Sequence, residues 1–278
     1  MNDNIIWVNA DDFGLTEGLN KGILESASKG ILNSVSFMVD APASADALSI
    51  IEKYPGLFER IGLHLNLVGN QGCMRPAYRL LTDPMGNYPA RWSNLVKLIL
   101  RHRGKILEEI EEEVRRQIEA MEDTGIHPSH IDSHDHVHCF PGISDIVVRL
   151  SKQYDIQYIR CPYEKATFTS SQFINLKRLL VGGIAGLLRS KIRSAGLTTS
   201  NYFSGLTDGG NMTCERMMEI LSGYNGGILE IMCHPGIRDS RLQKIFPSLY
   251  NWETEVGALT SPQVLKLFSQ KIHRSMSV

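Results

Sequence analysis

Histidines and carboxylates crowd one short stretch of the chain, Asp132-Ser133-His134-Asp135-His136-Val137-His138, which follows His127 and His130. Five of the nine histidines fall between positions 127 and 138. Neutral imidazoles beside a carboxylate are ligands that a divalent transition metal takes in proteins. If the stretch is extended, side chains alternate, and one face carries Asp132, His134, His136 and His138. Ligands along one strand would spread at about 3.3 Å per residue, so others should come from elsewhere.

A pair of adjacent aspartates, Asp11 and Asp12, directly follows the apolar run 5–10. Two carboxylates at the end of a strand can divide two tasks, because one can bind a metal ion while the other accepts a proton from water. The alternative is structural, namely an Asx turn and a cap for a helix that begins at Thr16.

Three further candidates stand at or near the ends of predicted strands. His64 lies in the alternating run 61–67 and would face the interior of a closed sheet, where it could equally be a buried structural histidine. Arg160 comes near the end of the run 156–161, and His234 follows the run 227–233. Together, the aspartate pair, His64 and the histidine stretch can supply two histidines and an aspartate from three strands, with open positions for water and substrate. This is the pattern of a catalytic metal site.

The order of the predicted elements indicates the fold. Besides the histidine stretch, the predicted strands are 5–10, 34–39, 61–67, 156–161, 202–206 and 227–233. Helical patterns begin at Thr16 and Ser261 and cover 43–54, 107–123, 142–152, 175–194 and 213–222. This alternation predicts an α/β fold with mostly parallel strands, in a distorted or incomplete (β/α) TIM-like barrel that forms a single domain, 1–278. An open doubly wound sheet is the alternative, and either fold collects the candidates at the carboxyl ends of its strands.

Charge and composition exclude several classes of function. The 29 lysines and arginines nearly balance the 30 aspartates and glutamates, so no net field would attract nucleic acid. No apolar run reaches the roughly 18–20 residues of a membrane span, and the first residues carry no secretory signal. The five cysteines are scattered without a C-x-x-C pair, which favours reduced thiols and a cytoplasmic location.

Four segments of the chain closely resemble the signatures of the YdjC/ChbG-like carbohydrate deacetylases and occur in the order of that family. They are VNADDFGL at 8–15, GLHL at 62–65, DSHDHVH at 132–138 and MCHPG at 232–236. The resemblance implies a metal-dependent hydrolase that removes N-acetyl groups from amino sugars such as chitooligosaccharides. It also implies a distorted β/α barrel and a homodimer. One divalent metal ion per chain is expected, Mg or Zn first, with Co or Mn as alternatives.

The same resemblance implies roles for individual residues. Asp12, His64 and His134 would bind the metal, Asp11 would be the general base, and His234 looks like the general acid. In the mechanism that follows, metal-activated water attacks the acetamide carbonyl while Asp11 takes its proton. Protonated His234 then donates to the departing amine, which leaves poorly as an anion.

Further residues are expected to bind substrate or to support the site, among them Arg160, Asp132 and His138. Arg160 could hold the general base ionised, contact sugar hydroxyls or form a structural salt bridge. The position of Asp135 often carries His or Gln in the family, so an aspartate there could alter charge or substrate preference. The segment 69–92 is too long for a connector and is expected to form a substrate-binding loop.

Two other functions remain open at the level of sequence. A metal-dependent phosphoesterase acting on a sugar phosphate could use the same aspartates and histidines, although two-metal sites usually bring more carboxylates. A sugar-binding protein with a structural metal would leave Asp11 and His234 without a purpose. Neither the sugar nor the native metal follows from the residues.

Overall fold

A parallel sheet of six strands organises the described part of the chain. The computed structural model describes residues 5–69, 78–164, 176–245 and 250–273. Its strands are β1 (Ile5–Phe13), β2 (Ser34–Phe37), β3 (Arg60–Leu65), β4 (Ile131–Ser133), β5 (Tyr202–Ser204) and β6 (Ile228–Cys233). Their order is β4-β3-β2-β1-β6-β5, and every pair is parallel. The predicted mostly parallel sheet is confirmed.

The sheet curls so that a short irregular segment around Ile159 spans the space between its two edge strands, β4 and β5. The Ile131 N–H of β4 donates to the Tyr158 carbonyl at 3.0 Å, and the Arg160 N–H donates back to the Ile131 carbonyl at 3.0 Å. The Ile159 N–H in turn donates to the Thr198 carbonyl at 3.1 Å, just before β5. Six strands joined in this way form a distorted barrel, as predicted. The expected strand 156–161 is present only as isolated bridges, because β4 offers just three residues for pairing.

The two faces of the sheet differ sharply in polarity. Val8 and Ala10 of β1 face outward and belong to the apolar core between strands and helices. Asn9 and Asp11 alternate with them and face the barrel interior, where Asn9 Nδ2 donates to Ser36 Oγ at 2.8 Å. Burial of an aliphatic side chain on the outer face contributes about 1.5–3 kcal/mol, so the helix layer stabilises the fold and leaves the interior free for polar groups.

Ten α-helices lie within the described residues, and the first begins as predicted. The Thr16 side chain accepts the Leu19 N–H at 3.2 Å, and Gly30 follows the last residue of this helix. None of the described helices is long and apolar enough to cross a membrane. The helices are α1 (Glu17–Lys29), α2 (Ser44–Lys53), α3 (Trp92–His102), α4 (Gly104–Glu122), α5 (Ile143–Gln153), α6 (Leu176–Ser194), α7 (Cys214–Gly223), α8 (Ser240–Ile245), α9 (Trp252–Leu259) and α10 (Pro262–His273).

Three of these helices were not predicted from the sequence. Helices α8 and α9 contain only six and eight residues, which is too short for a visible apolar period. Helix α3 fully buries Leu95 and packs Trp92, Leu98 and Ile99 partly buried against the core, so its inward face was missed in the sequence.

The histidine stretch does not continue as a strand, so the expected shared face is wrong beyond Ser133. Strand β4 ends at Ser133, and a 3-10 helix covers His134–Cys139. Within it Asp135 and His136 adopt the left-handed conformation, with φ of 54° and 55°. These two residues break the alternation on which the expected face depends, and the four side chains diverge.

Candidate metal centre and active site

The carboxyl ends of the strands open onto a small pocket that collects the candidate residues. Strands β1 and β3 bring Asp11, Asp12 and His64, and the segments that follow β4 and β6 bring His134 and His234. The remaining walls are formed by Ser133, Asp135, His136, Leu206, Gly209, Met232 and Tyr250.

A bulge in β1 lets two consecutive aspartates serve this one pocket. In a regular strand the side chains of Asp11 and Asp12 would point to opposite faces. Instead, the register of β1 against β2 shifts between Ala10 and Phe13, and Asp12 adopts a φ of 61°. Bulges re-aim side chains in this way, and left-handed non-glycine residues cluster at functional sites.

Asp12, His64 and His134 form a group whose donor atoms all lie within 4.8 Å of one another. Asp12 Oδ1 is 2.8 Å from Nδ1 of His134 and 3.2 Å from Nε2 of His64. Two imidazoles and one carboxylate are the ligand set of catalytic zinc and of related divalent metals, with positions left for water and substrate. The donor set therefore fits a divalent ion.

Asp132 orients His64 from the opposite side of the ring. Its Oδ1 is 2.7 Å from Nδ1 of His64, which leaves Nε2 directed toward Asp12. Its Oδ2 accepts the hydroxyl of Ser36 at 2.7 Å and the guanidinium of Arg160 at 2.6 Å. A carboxylate behind a metal-binding histidine fixes the tautomer and the ring orientation, and Asp132 stands in that position.

By distance alone, Asp11, His64 and Asp132 form a second group that could hold an ion. However, both oxygens of Asp11 and both oxygens of Asp132 already accept hydrogen bonds from other protein groups. Only one of the two His64 nitrogens faces Asp132, and the other faces Asp12. The group around Asp12 is therefore the better metal site.

Arg160 is fully buried and pairs with three carboxylates inside the barrel. Its Nη1 and Nη2 donate to Asp11 Oδ2 and Oδ1 at 2.6 and 2.8 Å, and its Nε donates to Glu230 Oε1 at 2.5 Å. Burial alone would lower the pKa of Arg160, but Asp11, Asp132 and Glu230 together raise it well above its ordinary value. Arg160 is therefore charged, and its two hydrogen bonds hold the Asp11 carboxyl group in one orientation.

The electrostatic field of the Asp12 group attracts positive charge. Burial would raise the pKa of Asp12, but His134 and His64 lower it well below its ordinary value. Burial would lower the pKa of His64, but neighbouring carboxylates, led by Asp132 and Asp11, raise it to about 10. The same field would hold a divalent cation, and binding of the cation must displace the protons on the imidazoles.

His234 lines the same pocket and is 8% exposed. Its ring packs edge-on against Tyr250, with ring centroids 5.3 Å apart. Its Nδ1 has no hydrogen-bond partner among the described residues, whereas its backbone N–H donates to Oε2 of Glu255. The ring of His234 therefore lines the pocket while its main chain is fixed.

His138 and His136 lie outside the candidate metal group. His138 Nδ1 lies 2.6 Å from Ser133 Oγ, and its Nε2 lies 3.0 Å from the carbonyl of Arg160. Burial lowers the pKa of His138 to about 4, so the ring is neutral and ties the histidine turn to the Arg160 segment. His136 lines the pocket, and its ring packs edge-on against Phe203 at 6.3 Å.

Two buried glutamates in the site were not assigned a role from the sequence. Glu230 shares a strand face with His234 by alternation, and the structure places it against Arg160 and against the Tyr158 hydroxyl at 2.7 Å. Glu255 lies in the unpredicted helix α9. The sequence offers one sign that Glu255 is buried, namely that this acidic residue stands among apolar residues, which the helix buries.

The expected substrate-binding loop is described only in part, since residues 70–77 lie outside the described ranges. Its last part is anchored by the Leu80 and Leu81 N–H groups, which donate to Glu109 at 2.9 Å. At its start, a Cβ added to Gly69 would lie 3.4 Å from the His134 ring. The loop thus begins beside one of the candidate metal ligands.

Comparison with known families gives a match over almost the whole chain. Residues 5–270 match the model of the family described as YdjC-like protein. A carbohydrate deacetylase from Halalkalibacterium halodurans is 31% identical over 240 residues, which cover 85% of this chain and 87% of that protein.

Other relatives agree in length as well as in sequence. Carbohydrate deacetylases from Vibrio cholerae serotype O1 and Clostridium beijerinckii are 28% and 26% identical, over 93% and 95% of this chain and 89% and 94% of their own lengths. Among solved structures, an Enterococcus faecalis protein named for cellobiose-phosphate cleavage superposes with a TM-score of 0.77 at 23% identity. The superposition covers 96% of this chain and 95% of that one, and it supports the fold alone.

Proposed function

This chain belongs to the YdjC-like protein family, and we propose that it is a metal-dependent carbohydrate deacetylase that removes N-acetyl groups from amino sugars. One observation carries the proposal: Asp12, His64 and His134 bring their donor atoms within 4.8 Å of one another in a pocket that Asp11 and His234 also line. The relatives named carbohydrate deacetylase support the substrate class. An N-acetylated sugar such as a chitooligosaccharide is the substrate we propose.

Asp12, His64 and His134 are the residues that would hold the metal. A divalent ion bound there would supply Lewis-acid activation of water and of the acetamide carbonyl. Asp132 contributes by keeping Nδ1 of His64 hydrogen-bonded, so that Nε2 stays directed into the pocket.

Asp11 is the proposed general base. Its Oδ1 accepts hydrogen bonds from Arg160 Nη2 and Asn9 Nδ2, whereas among the described residues its Oδ2 accepts one from Arg160 Nη1 alone. A carboxylate oxygen has two lone-pair sites, so Oδ2 keeps one for the proton of the attacking water. Arg160 holds the carboxylate in place throughout, which removes the cost of reorienting it during the reaction.

His234 is the proposed general acid. An amine leaves an acetamide poorly as an anion, so a proton must reach the nitrogen as the carbon–nitrogen bond breaks. The buried imidazole of His234 lines the same pocket as Asp12, and this supports the role. The products are acetate and a free amino sugar.

The phosphoesterase alternative is less well supported. Two-metal phosphoesterases hold their ions about 3.5–4 Å apart between bridging carboxylates. In this pocket the oxygens of Asp11 and Asp132, which would have to bind a second ion, already accept hydrogen bonds from Arg160. A homodimer and a cytoplasmic location stay predictions from the sequence.

The proposal is tested by measuring acetate release from N-acetylglucosamine, from N,N′-diacetylchitobiose and from longer chitooligosaccharides. Purified protein is assayed as prepared, after treatment with a chelator, and after Zn, Mg, Co or Mn is added back. We expect release that the chelator abolishes and one metal restores. Phosphate release from a sugar phosphate without acetate release from any amide would contradict the proposal. Asp123→Asn, which changes an exposed carboxylate at the residue that follows α4, should release acetate as the wild type does.

A further inference from the structure

Glu255 is a fully buried carboxylate that the proposed chemistry leaves without a task. It lies in the first turn of helix α9, outside the barrel interior, and it does not line the pocket. No lysine or arginine among the described residues forms an ion pair with it. A buried carboxylate is costly unless hydrogen bonds compensate it, so its partners indicate why it is there.

The partners of Glu255 are backbone groups from two segments that form the pocket wall. One carboxylate oxygen, Oε2, accepts the N–H of His234 at the end of β6. The other, Oε1, accepts the N–H of Met212 at 3.1 Å. Met212 ends the segment that carries Leu206 and Gly209, which line the pocket. One side chain therefore ties both segments to helix α9.

The segment after His234 is confined from its other side by close packing on helix α1. A Cβ added to Gly22 of α1 would lie 2.3 Å from Cα of Gly236, so no larger residue fits without displacing the chain. The Ile237 N–H also donates to the Gly18 carbonyl at 2.8 Å. Helix α1 and Glu255 of helix α9 thus both hold the main chain around His234.

The surroundings of Glu255 also affect its charge. Burial raises the pKa of Glu255, whereas His234 and the backbone N–H groups act in the opposite direction. Glu255 contacts His234 through the backbone N–H rather than through the ring, so this bond does not occupy a ring nitrogen of His234.

We propose that Glu255 is a positioning residue for deacetylation, which holds the main chain of His234 and so places its imidazole at the departing amine. The inference rests on the proposed role of His234 as the general acid. In this account the effect on kcat comes from the bond to the His234 N–H and therefore depends on the imidazole, whereas release of the Met212 N–H would alter the pocket wall equally in both backgrounds.

A double-mutant cycle tests this dependence in the metal-loaded, full-length protein. The four proteins are wild type, Glu255→Gln, His234→Ala and the double variant, each assayed for kcat and KM of acetate release. Glutamine keeps the volume and one acceptor oxygen, but its amide nitrogen cannot accept the second N–H. Because a displacement of about 1 Å can cost about 100-fold, we expect Glu255→Gln to lower kcat roughly tenfold to 100-fold with KM nearly unchanged. In the His234→Ala background the same change should alter kcat less than about twofold.

Two further variants guard the experiment against a general loss of structure. Glu253→Gln alters the neighbouring exposed glutamate of α9, which accepts the Arg238 N–H at 2.8 Å, and should leave kcat within about twofold. Glu255→Asp keeps the charge but withdraws the carboxylate by one methylene. It should give an intermediate loss that again vanishes in the His234→Ala background, and it replaces Glu255→Gln if that variant does not fold.

The outcomes separate the two proposals. Equal fold-losses from the Glu255 change in both backgrounds, or an unchanged kcat in a folded Glu255 variant, would overturn the positioning role while the deacetylase function stands. Absence of acetate release from metal-loaded wild-type protein with every substrate would overturn the proposed function and the positioning role together. Melting temperatures of all variants, measured in parallel, report losses of stability separately from losses of kcat.

Discussion

The side chains of Asp11, His64 and Asp132 project from strands into the barrel, whereas His134 and His234 lie on the segments that follow β4 and β6. We call the first three residues the strand-held half of the site and the last two the loop-held half. In the strand-held half, both oxygens of Asp132 and both oxygens of Asp11 accept hydrogen bonds from buried partners. The loop-held half contains left-handed residues beside His134 and an unpaired Nδ1 on His234, among the described residues.

This difference indicates a division of labour. Fully satisfied buried polar networks are rigid and keep charges at fixed positions. Strained backbone and polar atoms without a protein partner occur where a site must meet something outside the chain. We infer that the strands fix the charges of the reaction and supply two of the three metal ligands, Asp12 and His64, and that the loop-held half completes the metal site and contacts the substrate.

The largest expected effect comes from removing a loop-held ligand. His134→Ala should lower acetate release about 1000-fold or more, roughly 4 kcal/mol, because one of three metal ligands is lost. Metal content after dialysis should fall in parallel, while the melting temperature of the metal-free protein changes little. His127→Ala, at an exposed histidine paired with Glu122, is the matched control. Normal metal content in His134→Ala would remove His134 from the ligand set.

The next largest effect concerns the strand-held half, where Arg160 balances three carboxylates. Arg160→Met should lower the free energy of unfolding by about 3 kcal/mol or more, since uncompensated carboxylates remain buried. Urea unfolding measures this loss. Arg149→Met removes a bidentate pair with Glu111 on the surface, where the Arg149 side chain is 52% exposed, and should cost less than about 1 kcal/mol. Equal losses in the two variants would erase the distinction between the network and an ordinary ion pair.

A smaller effect should follow when the orienting carboxylate is neutralised. Asp132→Asn leaves every ligand present but weakens the hold on Nδ1 of His64, so metal affinity should fall about 10- to 100-fold. Calorimetric titration with zinc measures this change. Asp145→Asn, at an exposed residue of α5, should leave the affinity unchanged. An unaltered affinity in Asp132→Asn would mean that the strands alone orient His64.

The smallest effect is expected at the helix cap that follows the two aspartates. Thr16→Ala should lower the free energy of unfolding by about 1 kcal/mol, because the Leu19 N–H loses its acceptor. The kcat should stay within about twofold, since β1 holds Asp11 and Asp12 independently of the cap. A large loss of kcat with a small loss of stability would show that the placement of the aspartates depends on the start of α1.

The sequence predicted the strand-held half well because alternation is a local property. The placement of His64 inside the barrel follows directly from the period of the run 61–67, which β3 reproduces. Likewise the parallel sheet follows from the order of elements, and the start of α1 follows from the chemistry of Thr16 as a helix cap.

The loop-held half was predicted less well because its geometry depends on backbone angles and distant contacts. Nothing in the residue pattern places Asp135 and His136 in the left-handed conformation that ends the alternation after Ser133. The partnership of Glu255 with His234 joins residues 21 positions apart through a backbone N–H, which no side-chain pattern can reveal. The bulge that brings Asp11 and Asp12 to one pocket is equally invisible in the residue types.

The central claim is that two adjacent aspartates have different tasks, and one paired measurement tests it. Zinc affinity and acetate release are measured for Asp11→Asn and Asp12→Asn beside wild type. We predict that Asp11→Asn binds the metal with nearly wild-type affinity but releases almost no acetate, whereas Asp12→Asn loses both. Equal loss of metal from both variants, or acetate release by Asp11→Asn at the wild-type rate, would contradict the division of tasks.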